Sequence, residues 1–207
     1  MTLDVIIVSD VICPWCFVGS RRLHQVLDAM DDVEARIAYK PYLLDPGVPP
    51  EGTDLRERLR KKYGRDPEVI FRHVTAAARD VGIPLDFSRI TRTPNTIPAH
   101  TLIRHAAARG TQAALAEALY AAYFLEGEDV GQPDVLVTLA AAHGFEADEA
   151  RRLLDDPAEQ QATMAEASEA ARAGVSGVPF FIFGGKVAFS GAQPAHVFRD
   201  AIAQALA

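Results

Sequence analysis

Strand-forming sequence is confined to the two ends of this chain, and that distribution limits its architecture more than any other feature. Residues 3–9, LDVIIVS, are a short β-branched run of the kind expected for a strand buried on both faces. From Cys16 to Met30 the pattern is helical, with Phe17, Leu23, Val26, Leu27 and Met30 on one side. Glu34 to Leu44 returns to strand and stops at Asp45-Pro46-Gly47. Strand, helix and strand in close succession make a βαβ unit, so the two strands should run parallel with a right-handed crossover.

After Pro46 strand signals almost vanish as far as Pro157. Asp66-Pro67 opens a helix with an N-cap and a proline at its first position, and Gly82 closes it. Further helices are predicted over Thr96–Arg109, Thr111–Leu125, Pro133–His143, Asp148–Leu154 and Pro157–Ala173, punctuated by Gly110, Gly127 and Gly144. Strand character reappears at Phe180–Phe183 and Lys186–Ser190 around Gly184-Gly185, which reads as a two-residue hairpin turn. An amphipathic helix from Gln193 to Leu206 ends the pattern. The helical block has its own turns and apolar stripes but interrupts an α/β layout, so it reads as an insertion. The expected organisation is residues 1–45 (βαβ), 46–157 (all-helical insertion) and 158–207 (αββα).

Charge and targeting signals exclude several classes. The formal net charge of -7 argues against a nucleic-acid surface, which needs clustered Lys and Arg to displace counterions. The one basic run, Arg56–Lys62, is interleaved with Glu57 and Leu59 and reads as the solvated face of a helix. The N-terminal stretch lacks a basic region and a small-residue cleavage site, and no segment approaches the roughly 20 apolar residues of a membrane helix. A cytoplasmic protein is expected. In a reducing compartment its two cysteines, Cys13 and Cys16, would not be a permanent staple.

Those cysteines sit in VICPWCFVGS, residues 11–20. A zinc site needs about four ligands, and the six histidines (24, 73, 100, 105, 143 and 196) are scattered without one-turn helical spacing. No metal is expected. Strand end, short loop and first helical turn put Cys13 at the positive end of a helix dipole, which favours thiolate over thiol. Cys16 lies one turn on, close enough to close a disulfide with it. Cys13 can attack and Cys16 can resolve the mixed disulfide. Pro14 fits helix initiation, and Trp15 is expected on the rim beside the reactive sulfur. Two inert core cysteines would not explain this position.

Far along the chain, GVSGVPFF (174–181) places Pro179 at a strand entry. If the two halves make one sheet, this segment lies beside the cysteine loop, and a cis Val178–Pro179 bond would leave a backbone edge open to a substrate strand. Phe180, Phe181 and Phe183 are expected in the core.

Four stretches together, DVICPWCFVG (10–19), TPNTIPAH (93–100), GVSGVPFF (174–181) and SGAQP (190–194), resemble the DsbA branch of the thioredoxin superfamily, and within it the FrnE-like subgroup. The resemblance implies an α/β thioredoxin fold with an all-helical insertion domain. It implies Cys13 as nucleophile, Cys16 as resolving cysteine and Pro179 as the cis-proline; Pro14, Trp15, Val178 and Pro179 are the expected substrate contacts around them. Related glutathione-dependent proteins, the kappa-class transferases and 2-hydroxychromene-2-carboxylate isomerases, carry serine in place of the first cysteine; two thiols favour dithiol chemistry here. Asn95 or Thr96 caps the helix beginning near Pro98. The resemblance also turns this segment toward the active site, so that Asn95 and His100 line the groove. Asp10 is either a turn residue or a proton acceptor for the buried thiol.

The resulting expectation is a thiol–disulfide oxidoreductase acting on protein or small-molecule thiols and disulfides. It would hold no tightly bound cofactor. The chain has no further cysteine pair, so it must be reset by an outside thiol, glutathione or a thioredoxin-type reductant. The alternatives are a glutathione-dependent isomerase or transferase with glutathione as co-substrate, and a redox-inactive peptide-binding or chaperone module.

Overall fold

The computed structural model describes all 207 residues. Strand β1 (Thr2–Ser9), helix α1 (Pro14–Asp28) and strand β2 (Glu34–Pro41) form the anticipated βαβ unit. β1 and β2 are parallel, from Thr2 opposite Glu34 to Ser9 opposite Pro41. β2 ends at Pro41 instead of Leu44. Proline supplies no N–H to a ladder, and Leu44 turns its own N–H to the Asp10 carboxylate at 2.8 Å. Only the C-terminal end of β1 is continuously buried: Ile7, Val8 and Ser9 are covered, whereas Thr2 and Asp4 are exposed. The expectation of two buried faces therefore holds only near the cysteine loop. At the other end Asp4 pairs with Arg36 across the strands at 2.7 Å, in a surface ion pair.

The middle of the chain is helical, with one addition. Strand β3 (Thr53–Asp54) leads into α2 (Leu55–Tyr63) and α3 (Pro67–Arg79), and β4 (Arg92–Thr93) pairs back antiparallel onto β3. A ladder two residues long leaves no periodicity to read in a sequence. The predicted cap of α3 is present: the Asp66 carboxylate accepts from the Glu68 N–H at 3.1 Å. Then come α4 (Ile97–Ala106), α5 (Gln112–Ala121), α6 (Pro133–Ala141), α7 (Ala147–Asp155) and α8 (Pro157–Arg172). α5 continues into a π-helical turn over Ala122–Glu126, which carries Tyr123 and Phe124. It ends at Gly127, whose φ of +76° is in the left-handed region that glycine adopts without steric cost.

β5 (Phe180–Phe183), β6 (Val187–Ser190) and α9 (Ala195–Leu206) complete the fold. The turn is at Gly184-Gly185, both with positive φ. However, Phe183 is opposite Val187, so the two-residue hairpin is corrected to one with Lys186 as an extra residue. The main sheet has the order β2-β1-β5-β6. β5 is antiparallel to β1, with Val8 opposite Phe180. Continued one and two steps further, that register brings Pro179 and Val178 alongside Ser9 and Asp10. This pairing is what carries residues 178–179 to the start of α1. One apolar cluster of 44 buried residues runs through sheet and helical insertion alike, so the inserted helices share their core with the sheet.

Candidate active site

Cys13 is the N-cap of α1, and Pro14 is its first residue. The Cys13 N–H donates to Asp10 O at 3.0 Å, and the Cys13 carbonyl accepts from the Cys16 and Phe17 N–H groups at 3.0 and 3.3 Å. These bonds fix the loop and set the first sulfur at the positive end of the helix. Both thiols are free, and their surroundings differ. Cys13 is 3% exposed and lines a cavity, and its thiol faces the Val178 carbonyl oxygen at 3.7 Å. Cys16 is fully buried. Burial pushes the Cys16 thiol well up from its ordinary range, and its hydrogen bond and charge interaction with Cys13 push the same way.

Pro179 sits behind Val178 with a cis peptide bond between them. It packs on α1 at Gly19, where a β-carbon would come within 3.0 Å of both Pro179 Cγ and Phe181 Cζ. A glycine is thus required for α1 to lie this close to the strand entry.

The cavity holds about 560 Å³, within the roughly 300–1,000 Å³ usual for small-molecule sites. Pro14, Trp15 and Val178 line it beside Cys13, together with Phe71 from α3 and Phe124 from the π turn. Trp15 is held edge-on to the His73 ring, 5.3 Å between centroids. The mouth, where Lys62 and Arg65 are exposed, is basic: with Arg58 they line the cavity beside a single carboxylate, Asp45. Arg56–Lys62 lies on the solvated face of α2, where only Leu55 is buried, and two of its cations also line the cavity. Arg58 and Lys62, four residues apart, lie on one side of α2. Arg58 ion-pairs with Asp45, and Lys62 donates to Leu44 O at 2.6 Å. Arg56 instead caps the carbonyls of Phe87 and Ile90 at 3.2 Å each. Hydrogen bonds from Arg58 hold the Asp45 carboxyl below the ordinary carboxylate range.

Asn95 and His100 stand apart from the cavity. The Asn95 carboxamide accepts from the Ile97 N–H and donates to Val48 O, both at 3.0 Å, and it lines a second, polar cavity. It therefore provides the cap of α4, while Thr96, the formal N-cap, makes no side-chain bond. His100 is 2% exposed and faces the Asp10 carboxylate, Nε2 to Oδ1 at 3.2 Å. The other Asp10 oxygen accepts from the Leu44 N–H. Asp10 thereby joins the cysteine loop, the end of β2 and α4 in one buried knot, and His100 reaches the cysteine loop through it.

Two features of the site had no role assigned in the sequence. Gly19 carried no local signal. The basic mouth did carry one, the four-residue spacing of Arg58 and Lys62, but its meaning depends on Asp45 lying opposite. Behind the cysteines, Ser20 bonds Tyr39 at 2.6 Å and Glu117 at 2.5 Å. Phe17 stacks on Tyr120 and Phe124 at 5.4 and 5.9 Å, and the buried Tyr120 hydroxyl lies near Ser9 without a well-formed hydrogen bond.

Comparison with known proteins agrees with this geometry. The DSBA-like thioredoxin domain family matches residues 4–203. A structure described as a "probable DsbA oxidoreductase" from Streptomyces coelicolor is 35% identical, covers 99% of this chain and 90% of its own, and superposes with a TM-score of 0.87. Two others share the fold. A 2-hydroxychromene-2-carboxylate isomerase is 17% identical with a TM-score of 0.74, covering 99% of this chain and 95% of its own. The cytosolic disulfide reductase DsbM of Pseudomonas aeruginosa, solved with glutathione, is 21% identical with a TM-score of 0.65, covering 100% of this chain and 99% of its own. The chain belongs to the DSBA-like thioredoxin domain family.

Proposed function

We propose that this member of the DSBA-like thioredoxin family is a thiol–disulfide oxidoreductase working through the Cys13-Pro14-Trp15-Cys16 pair. The reading rests on the asymmetry of the two thiols: Cys13 meets the cavity from a helix N-terminus, and Cys16 is sealed one turn behind it. The Cys13 thiolate attacks a substrate disulfide, forming a mixed disulfide and expelling one thiolate, which takes a proton from solvent. Cys16 then loses its proton and attacks the Cys13 sulfur, releasing the second thiol and closing the Cys13–Cys16 disulfide. Two electrons pass from the cysteine pair to the substrate. The same steps in reverse oxidise a dithiol.

The chain has two cysteines only, so an outside thiol must reset the pair. Glutathione or a thioredoxin-type dithiol in a cytoplasmic compartment fits that need, and the chemistry requires no resident cofactor. No helix is long and apolar enough to cross a membrane.

The test is insulin reduction by dithiothreitol, combined with trapping. Cys16→Ser should accumulate mixed disulfides and lose turnover, and Cys13→Ser should do neither trapping nor turnover. Equal trapping by the two variants, or turnover that survives loss of Cys13, would remove the nucleophile–resolver assignment. Glutathione-dependent chromene isomerisation that needs Cys13 but not Cys16 would replace it with the isomerase reading.

A further inference from the structure

The cavity beside Cys13 has a largely apolar lining, with its charge concentrated at the mouth. At the mouth, three cations stand against the single carboxylate of Asp45. Asp45 is engaged by Arg58, Lys62 spends one donor on Leu44 O, and the exposed Arg65 has no acidic partner. Three cations against one carboxylate leave the mouth with a net charge of +2, which an anionic ligand would balance.

We propose that the disulfide taken by this site is a small molecule with a compact aromatic or branched apolar body and an anionic substituent. The body fills the cavity against Phe71 and Phe124, and the anion lies between Lys62 and Arg65. The sulfur is thereby delivered to Cys13. The inference rests on the oxidoreductase reading and narrows its substrate class. The exchange balances as above: two thiol protons and two electrons leave the cysteine pair, and the substrate departs as two thiols.

The chain as a whole carries a net charge of -7, so long-range electrostatics repel an anionic probe. A preference for one must come from the local mouth. That opposition makes the test sharp.

Reduced full-length protein is mixed under single-turnover conditions with dithiobis(nitrobenzoate), an anionic aromatic disulfide, or with dithiodipyridine, its uncharged counterpart. Product absorbance and the fluorescence of Trp15, the single tryptophan, both follow the reaction. Each rate is divided by that of free mercaptoethanol with the same probe. At low salt the normalised anionic rate should exceed the uncharged one by about tenfold, the lower end of electrostatic focusing. It should saturate with probe concentration, and the excess should fade near 1 M salt, where the screening length is about 3 Å. The double variant Lys62→Glu/Arg65→Glu should bring the ratio below one.

A ratio at or below one for the native protein at low salt, or a ratio unmoved by the double charge reversal, overturns the proposal. If neither probe oxidises the Cys13–Cys16 pair, the oxidoreductase reading itself fails, an outcome distinct from loss of charge preference alone.

Discussion

Gly19 is the position at which a single methyl group tests the geometry of the site. A β-carbon there would lie 3.0 Å from Pro179 Cγ, 3.0 Å from Phe181 Cζ and 3.3 Å from Phe181 Cε2. Comfortable carbon contacts are about 3.5–4.0 Å, so Gly19→Ala requires α1 and the β5 entry to separate by roughly 0.5 Å. Phe181 cannot swing aside. It is fully buried and wedged edge-on against Phe198 at 5.0 Å. Overpacking of this kind costs about 1–3 kcal/mol. Replacing a mid-helix glycine returns up to about 1 kcal/mol, so the net loss should be about 0–2 kcal/mol in urea unfolding.

The functional loss should be larger in proportion, because α1 carries both cysteines and β5 carries the Val178–Pro179 edge. A misplacement of about 1 Å can lower a reaction rate about 100-fold, so half that distance should lower insulin reduction about tenfold. Alkylation of Cys13 by iodoacetamide, which needs no alignment with residues 178–179, should change little. Gly19→Val, with a β-branched side chain, should exceed Gly19→Ala in both stability and turnover loss. A Gly19→Ala protein that is more stable by the full helix-propensity gain and retains native turnover would refute the close-approach argument.

Two further outcomes concern stability. The Asp45 carboxyl is held down by Arg58, so its contribution is complete above the unfolded value of about 3.9 and is lost as pH falls through the lower folded value. The stability gap between the native protein and Asp45→Asn should therefore be flat, near 1 kcal/mol, from neutrality to about pH 5, and should close in stronger acid. A gap that widens on acidification would contradict the pairing. Tyr120→Phe deletes a buried hydroxyl that makes no well-formed hydrogen bond, with Ser9 its nearby polar group, while keeping the ring stacked on Phe17. It should be neutral or stabilising by about 1 kcal/mol in thermal or denaturant unfolding, and a loss above that size would mean the hydroxyl is satisfied in solution.

The ends of the chain were legible because their signals are local. β-branched runs, a proline at the first turn of α1, the Asp66 cap and the position of the turn at Gly184-Gly185 each act within a few residues, and the structure has each of them, with Lys186 added to the turn. The cysteine spacing was legible for the same reason, since one helical turn determines how two residues three apart face each other. Positions defined by another segment were harder to read. The strand entry at Val178 and Pro179 was matched to the cysteine loop only by assuming that the two halves share a sheet, and the antiparallel register of β5 on β1 is what brings them together. Asn95 and His100 sit in a segment that does reach the cysteine loop. Which way each side chain turns was decided by the acceptors nearby: Val48 O for Asn95, and the buried Asp10 carboxylate for His100. The basic run at 56–62 reads as a solvated helix face and is one, but sequence shows charge and not what stands opposite Arg58 and Lys62. Asp45 and the mouth of a cavity stand there. Glycine 19 is the clearest case of the difference. Its helix would form with almost any residue at that position, and only the packing of Pro179 and Phe181 against its bare backbone makes the absence of a side chain necessary.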